Sequence, residues 1–245
     1  LNYFCLKKKV LIYFILIVGI HHSAIYAQRK PQRAPNLVYY DQKKFHFGFM
    51  IGYNMANFSI KPKTNLNPFD SLMVIETVPM SGFNIGIVSD LHLGNHFNLR
   101  FIPEISLQDR IVTYNIRYNN SLLSKVDKKI ESVNLDFPLL VKFKSIRMQN
   151  VRFYVIAGAQ YSIDLASQAK KQSQTSDVIK LKLLRSDVQA QVGTGIDMYM
   201  NLFKFSIELK MSYGMLNLLK NEDNFYTNSI NYLHSKIFHL SFLFE

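Results

Sequence analysis

Apolar and polar residues alternate along most of this chain after its first 27 residues. In residues 45–55, FHFGFMIGYNM, large apolar residues fill the odd positions, and small or polar residues fill the even ones apart from Met50. Successive side chains of a β-strand point to opposite faces, so this period of two predicts a sheet with one apolar and one polar face. The pattern recurs in seven later segments, which gives predicted strands near 45–56, 83–93, 97–108, 132–143, 151–164, 187–198, 203–213 and 238–245.

The two faces of these segments differ sharply in charge. The apolar face, which includes Phe101, Phe137 and Phe205, carries no charged residue. The opposite face carries eight acids and five bases: Asp90, Arg100, Glu104, Asp136, Lys142, Arg152, Asp164, Asp187, Asp197, Lys204, Glu208, Lys210 and Glu245. A soluble barrel would bury the Phe-rich face, but the interior of eight strands is too narrow to hold it. We therefore expect the apolar face to meet lipid and the charges to neutralise one another in the lumen.

The predicted connections alternate strictly between long and short. The short ones are Gly94–His96, Lys144–Asn150 and Tyr199–Leu202, and the long polar ones lie near 57–82, 109–131, 165–186 and 214–237. This alternation is typical of an outer-membrane barrel with tight periplasmic turns, long outer loops and both termini in the periplasm. The prediction is an all-β fold over residues 45–245, an eight-stranded antiparallel up-and-down transmembrane β-barrel.

Two features depart from regular strands. Pro103 and Pro138 lie inside predicted strands, where each removes a hydrogen bond of the ladder, so bulges or locally broken pairing are expected there. The apolar positions shift phase in Ile111–Tyr118, as after a bulge. This shift predicts that the third strand projects beyond the membrane.

The N-terminus has the three regions of a secretory signal peptide. Three lysines precede the apolar run Val10–Ile20, which is too short for a membrane-spanning helix of roughly 20 residues. Cleavage is predicted after Ala27, so that residues 1–27, including Cys5, are removed. Residues 28–44 are rich in proline and charge and are interpreted as a periplasmic leader before the barrel. These features predict a protein exported to the bacterial outer membrane.

Removal of the signal peptide leaves 218 residues without cysteine, which excludes disulfides and thiolate metal sites. The formal charge falls from +12 to about +9 when the three signal lysines are lost. The basic residues are dispersed and form no nucleic-acid motif, so attraction to outer-membrane lipid head groups explains the excess better. No nucleic acid, small-molecule substrate or cofactor is predicted as a ligand.

Two pairs of polar residues are candidates for a catalytic or metal site. Asp90 and His92 share the polar face and could form a general-base couple or supply two metal ligands. A hydrogen-bond network in the lumen is the commoner role for such residues. Asp187 and Asp197 are ten residues apart on one strand, roughly 33 Å, which is too far for a shared site. No catalytic, cofactor-binding or metal site is therefore predicted.

Two further motifs have ordinary explanations. The run Gly193–Gly195 lacks the lysine and helix of a phosphate loop, and glycine in a strand more often marks a close approach at a barrel wall. A basic run in a predicted outer loop could bind lipopolysaccharide phosphates or an acidic partner, although such runs are commonly just solvated. This run comprises Lys170, Lys171, Lys180, Lys182 and Arg185.

Four segments resemble the PorT family of the Bacteroidota: residues 40–60, 101–110 (FIPEISLQDR), 134–143 (NLDFPLLVKF) and 157–171. The combination of Tyr40-Asp41-Gln42 with HFGF, and the run YSIDLASQ, are the most specific parts, and both prolines stand where the family carries them. The likeness covers the chain from about residue 36 to its C-terminus. It implies a small outer-membrane barrel of the type IX (Por) protein-secretion system, associated in some members with gliding motility.

The resemblance further implies an accessory or assembly role in cargo export, with other type IX secretion components as partners and no catalytic residues. Two other functions stay open from the residues alone. One is an outer-membrane enzyme with catalytic groups at the outer rim, such as a protease or a lipid A hydrolase. The other is a structural or adhesive barrel. Only the family likeness favours secretion over these two.

Overall fold

The computed structural model describes residues 34–62, 72–118, 122–165, 183–219 and 229–245. Residues Asn36–Glu245 form one compact unit. The predicted signal peptide lies outside the described residues, so its removal stays a prediction. Among the described residues, no helix has the length and apolar character needed to cross a membrane.

The described chain forms a closed ring of antiparallel strands. The strands are β1 Phe45–Pro62, β2 Leu72–His92, β3 Phe97–Phe101, β4 Glu104–Tyr118, β5 Leu122–Lys144, β6 Val151–Asp164, β7 Ser186–Tyr199, β8 Lys204–Gly214 and β9 Ile230–Phe244. Strand β1 pairs with β2 on one side and with the last strand, β9, on the other. Strands β3 and β4 together occupy one position of the ring, because both pair with β2 and β5. The predicted eight-stranded up-and-down barrel is thus confirmed.

The two ends of the barrel differ in their connections. The predicted short connections are confirmed: residues 93–96, 145–150 and 200–203 join strands at one end. The start of the first strand and the end of the last strand lie at this same end. The N–H of His92 donates to the carbonyl of Lys44 at 2.8 Å, and Lys204 exchanges two backbone hydrogen bonds with Glu245. We call this the turn end. The opposite end, with connections 63–71, 119–121, 165–185 and 215–229, is the loop end.

Two of the predicted long loops are mostly strand, and that part of the prediction was wrong. Strand β1 continues to Pro62, β2 begins at Leu72, and β4 and β5 run on until only residues 119–121 separate them. The strand over Ile111–Tyr118 is confirmed. It pairs with β5 in unshifted register, whereas its pairing with β2 shifts register between Pro79 and Phe83, so the irregularity lies on β2 and not on β4. The shift of apolar positions therefore reflects a change in which residues face the interior.

The prolines break pairing without a bulge. Residues Ile102 and Pro103 separate β3 from β4, yet the register against β5 is the same before and after them. The N–H of Ile102 donates to the carbonyl of Pro138 at 3.3 Å, and Pro138 has no N–H to return the bond. The carbonyl of Pro103 accepts from the N–H of Ile87 at 3.0 Å. The expectation of locally broken pairing is confirmed at Pro103, whereas β5 continues through Pro138.

The orientation of the two faces is confirmed as well. Large apolar side chains cover the outside; Phe47, for example, is 68% exposed, and Phe101 is exposed too. The charged residues point into the lumen, where Asp90, Arg100 and Glu208 are fully buried. Lipid-facing phenylalanine and enclosed charge are the arrangement that a transmembrane barrel requires.

Candidate functional site: the filled lumen and its two ends

A buried guanidinium joins three carboxylates near the turn end. Arg100, on β3, donates from Nε and Nη2 to Asp90 on β2 at 3.0 and 2.8 Å. Its Nη1 donates to Glu208 on β8 at 3.0 Å, and its Nη2 also reaches Glu245 at 3.1 Å. All four side chains are fully buried. This network ties together strands that lie on different sides of the ring.

A second ion pair lies against the first. Lys142 on β5 donates to both carboxylate oxygens of Asp197 on β7, at 2.9 and 2.7 Å. Its ammonium lies 3.7 Å from the centre of the Tyr154 ring, and the Tyr154 hydroxyl donates to Glu208 at 2.9 Å. Tyr154 therefore links the two ion-pair systems into one.

Gly195 makes room for this tyrosine. A Cβ atom added at Gly195 would collide with the Tyr154 ring, and one at Gly193 would lie 2.5 Å from the carbonyl oxygen of Leu209. The prediction that Gly193–Gly195 marks a close approach at the barrel wall is confirmed.

Residues 36–44 lie across the turn end of the lumen. A short 3-10 turn, Tyr40–Gln42, presents Asp41 to Arg152, which donates two hydrogen bonds of 3.0 Å each to the two carboxylate oxygens. The ring of Tyr40 stacks on His46 with centroids 3.9 Å apart, and its hydroxyl donates to Glu245 at 3.1 Å. Partial burial alone would raise the pKa of Asp41, but the bonded and charged Arg152 holds that pKa below its usual value.

A second anchor holds the beginning of this segment. The Asn36 side chain donates to the carbonyl of Tyr199 at 3.0 Å, and its backbone N–H donates to the Asn150 side chain at 2.8 Å. Arg147 donates to the carbonyl oxygens of Asn36 and Leu37 and stacks 3.7 Å over the Tyr199 ring. Sequence reasoning treated these residues as a leader. Their role at the mouth was missed because an irregular segment has no hydrophobic period.

The middle of the lumen is polar and contains a small cavity. Arg110, on β4, donates to Gln108 and Ser235 at 2.5 and 3.0 Å and lies 4.8 Å over the Phe58 ring. A cavity of about 30 Å³ beside it is lined in part by Asp187 and Gln189. Space of this size with several polar partners suits ordered water.

The loop end of the interior is apolar. Its core, which we call the apolar plug, consists of Phe58, Val112, Tyr114, Leu218, Ile230 and Leu233. The outward residues at the same level are charged: Lys129 is exposed and pairs with Asp109 and Glu131 at 3.0 and 3.2 Å. Polar residues thus face outward and apolar residues inward, the reverse of the rest of the barrel. The signal was present in Ile111–Tyr118, where the inward positions are apolar.

The residues considered for catalysis have other side chains as partners in the structure. Asn98 lies between Asp90 and His92: its amide donates to the carboxylate, and its carbonyl oxygen lies 3.2 Å from Nδ1 of the imidazole. Asp187 lines the cavity, whereas Asp197 binds Lys142 near the turn end. In the part of the chain that the structure describes, no three His, Cys, Asp or Glu side chains are grouped to hold a metal ion.

The basic run of the third predicted outer loop lies largely outside the described residues. Of its members only Arg185 is described, and it is exposed at the loop end. A role of this run in binding lipopolysaccharide stays a prediction.

Comparison with known proteins gives one matching family model and several similar solved structures. The family described as outer membrane protein beta-barrel domain matches residues 26–220. No curated protein matches the chain. Among solved structures, Neisserial surface protein A (NspA) is 11% identical with a TM-score of 0.41, over 82% of this chain and 98% of that chain. The outer membrane protein OprG from Pseudomonas aeruginosa is 13% identical with a TM-score of 0.40, over 83% and 95% respectively.

Proposed function

The chain belongs to the outer membrane protein beta-barrel domain family, and on this premise we propose that it is a non-enzymatic accessory or assembly component of type IX protein secretion. The resemblance of four segments to the PorT family carries this proposal. In the proposed orientation the turn end faces the periplasm and the loop end faces the cell exterior, as the lengths of the connections favour.

The filled interior supports an accessory role and argues against a conduit. The ion-pair network around Arg100 occupies the turn-end half of the lumen, and the apolar plug occupies the loop end. The cavity of about 30 Å³ beside Arg110 suits ordered water and not a protein chain. A folded cargo protein cannot pass through such a barrel, so the protein would act through surfaces that contact other secretion components.

The part of the resemblance that reaches the turn end supports contact on the periplasmic side. Tyr40-Asp41-Gln42, one of the most specific elements, folds as the short turn that covers the lumen mouth. Val38 and Tyr39 just before it are exposed. A segment fixed in place by Asp41 and Asn36 presents a defined shape to a partner, which lowers the entropic cost of binding.

Deletion of the protein tests the proposal. We expect secreted cargo to accumulate in the periplasm of the deletion strain, and reintroduction of the full chain to restore its release. Cell fractionation followed by immunoblotting for a cargo protein measures both. The level of an unrelated outer-membrane barrel in the same fractions is the control for a general envelope defect. Normal release of cargo by the deletion strain would reject the secretion role while leaving the barrel assignment intact.

Affinity capture from solubilised outer membranes adds a direct measurement of partnership. A tagged chain should co-purify components of the secretion machinery, whereas an equally tagged unrelated barrel should not. Identical recoveries with the two baits would contradict a specific role. Capture combined with normal cargo release would indicate association without function in export.

A further inference from the structure

Each of the three turns at the turn end exposes large apolar side chains. Leu93 lies in the first turn, Ile146 and Met148 lie in the second, and Leu202 lies in the third. Ile146 is 77% exposed and Leu202 is 90% exposed. Side chains of this kind gathered at one end of a molecule indicate an interaction surface, since turns bathed in water are ordinarily polar.

The lipid-facing band of the barrel reaches these turns without a polar interval. Five exposed phenylalanines occupy or adjoin the strand ends at the turn end: Phe45, Phe97, Phe143, Phe153 and Phe203. Because the apolar band continues to the strand ends, the turns that follow lie at the depth of the head groups rather than in open water. Leu202 directly precedes Phe203 and prolongs the band.

The exposed charged side chains in the segments that form the turn end are basic. The segments that form this end are residues 36–44, 93–96, 145–150 and 200–203. Their only acid is Asp41, and both of its oxygens are bonded to Arg152. Lys43 and Lys44, by contrast, are exposed.

The loop end provides the contrast. Its described strand extensions expose acids and bases together, among them Lys61, Glu76, Lys129 and Glu131. Lys129 is engaged by two acids of its own chain. Among the described residues, the exposed charges of the loop end are therefore mixed in sign, whereas those in the segments of the turn end are basic.

We propose that the turn end binds anionic phospholipid head groups of the periplasmic leaflet. Leu93, Ile146 and Leu202 reach the upper acyl region, and Lys43 and Lys44 contact the lipid phosphates from the same end. Apolar insertion and electrostatic attraction reinforce each other at such an interface, and long lysine side chains place their charge at the head groups while their stems stay in apolar surroundings.

The assignment to the periplasmic leaflet rests on the proposed orientation, whereas the selectivity for anionic phospholipid does not. An acidic face of a periplasmic protein is the competing occupant. Lipid fits better because the apolar residues are distributed over all three turns around the rim, which matches an encircling bilayer rather than a single docked protein.

Lipid retention measures the selectivity. The full chain, folded in nanodiscs of equal parts phosphatidylethanolamine and phosphatidylglycerol, should keep phosphatidylglycerol preferentially when released for native mass spectrometry. The double variant Lys43→Gln/Lys44→Gln should lose this preference, by about fivefold for each cation removed. The matched control Lys61→Gln/Lys129→Gln removes two exposed lysines at the loop end and should keep it. Slower migration after heating in electrophoresis confirms that each variant was folded.

Three results would overturn the proposal. Equal retention of the two lipids by the unaltered chain removes the selectivity. If both double variants lose the preference for phosphatidylglycerol equally, the binding surface is not located at the turn end. Unchanged retention in Lys43→Gln/Lys44→Gln removes these two lysines as the contacts of the lipid phosphates. A separate experiment tests which leaflet the turn end contacts. In intact cells, reaction of Lys43→Cys with a membrane-impermeant thiol reagent would refute the periplasmic position, but it would not change the nanodisc result. Cargo release, which tests the proposed function, is measured independently of both.

Discussion

The two halves of this barrel are inverted with respect to each other, although the same strands build both. On β5, Lys142 and Asp136 point inward and Leu139 outward in the turn-end half, whereas Ile130 packs inward and Glu131 is exposed outward at the loop end. The strand keeps its register throughout. The medium around the barrel therefore decides which type of residue each face carries: lipid demands an apolar exterior, and water permits an apolar core.

Exposed tyrosines mark the level at which the inversion occurs. Tyr53 on β1, Tyr161 on β6 and Tyr213 on β8 are exposed toward the loop end of the apolar band. Tyr161 pairs with Phe137, which lies on β5 between Leu139 and Glu131. Aromatic girdles occupy membrane boundaries in outer-membrane barrels. The boundary of the membrane at the loop end therefore crosses β5 between Leu139 and Glu131.

Replacement of Arg100 by methionine should produce the largest effect. Arg100→Met leaves Asp90, Glu208 and Glu245 without their shared partner in a buried site, and loss of one member of a buried ionic group costs about 3–5 kcal/mol. Urea unfolding of the barrel in lipid vesicles measures this loss in the free energy of unfolding. Lys129→Met is the matched control, since its ion pairs have similar lengths but are exposed, so its effect on the free energy of unfolding should be far smaller. Similar losses in the two variants would show that burial adds nothing to the turn-end network.

Truncation of the apolar plug should come next. Leu233→Ala removes a fully buried side chain from the loop-end core, for which losses of about 2–5 kcal/mol are typical. Leu216→Ala, at an exposed loop-end position, should stay within about 0.5 kcal/mol. The same urea titration compares the two. If Leu233→Ala leaves the free energy of unfolding nearly unchanged, the apolar plug is not a tightly packed core, although its residues are apolar.

The alternation in the membrane half could be predicted from the sequence because lipid tolerates so few exceptions to it. The inverted half could be predicted only in part: the apolar positions of Ile111–Tyr118 indicated a strand that projects beyond the membrane, whereas the outward polar residues of 57–62 resemble a loop when a lipid-facing pattern is expected. The partners in the lumen were hidden for another reason. Arg100 and Glu208 are 108 residues apart and meet only once the ring is closed. Residues 36–44 carry no period, so their place at the mouth had no signal beyond the PorT-like Tyr40-Asp41-Gln42.

A charge moved along one face of β5 locates the boundary between the halves. Leu139→Arg puts a cation on the lipid-facing side of the turn-end half, where such a substitution costs about 2–4 kcal/mol near mid-bilayer. Glu131→Arg puts the same side chain on the same face beyond the tyrosines, where it should cost within about 1 kcal/mol. The free energies of unfolding in vesicles compare them. Equal costs would place both positions in one medium and remove the membrane boundary from this stretch of β5.

The smallest effect concerns the polar closure of the turn end by residues 36–44, whereas the loop end is closed by the apolar plug. Asp41→Asn keeps the shape of the side chain but removes the charge bonded to Arg152, and a partly exposed pair of this kind contributes about 1 kcal/mol. Amide hydrogen exchange in residues 36–44 should therefore be faster in the variant at neutral pH. The control Glu76→Gln, an exposed acid on the loop-end extension, should leave it unchanged.

The pH dependence of the same exchange identifies the carboxylate responsible. Because the pKa of Asp41 is held below its usual value in the folded protein, the stabilisation is complete above about pH 4, the ordinary range of the group, and is lost as the pH falls through the lowered pKa. After correction for intrinsic exchange rates, the unaltered chain should approach the variant at acidic pH, while the variant should show no such transition. If the two chains exchange equally at neutral pH, the Asp41–Arg152 pair does not hold the segment, and the mouth is closed by the contacts of Tyr40 and Asn36 alone.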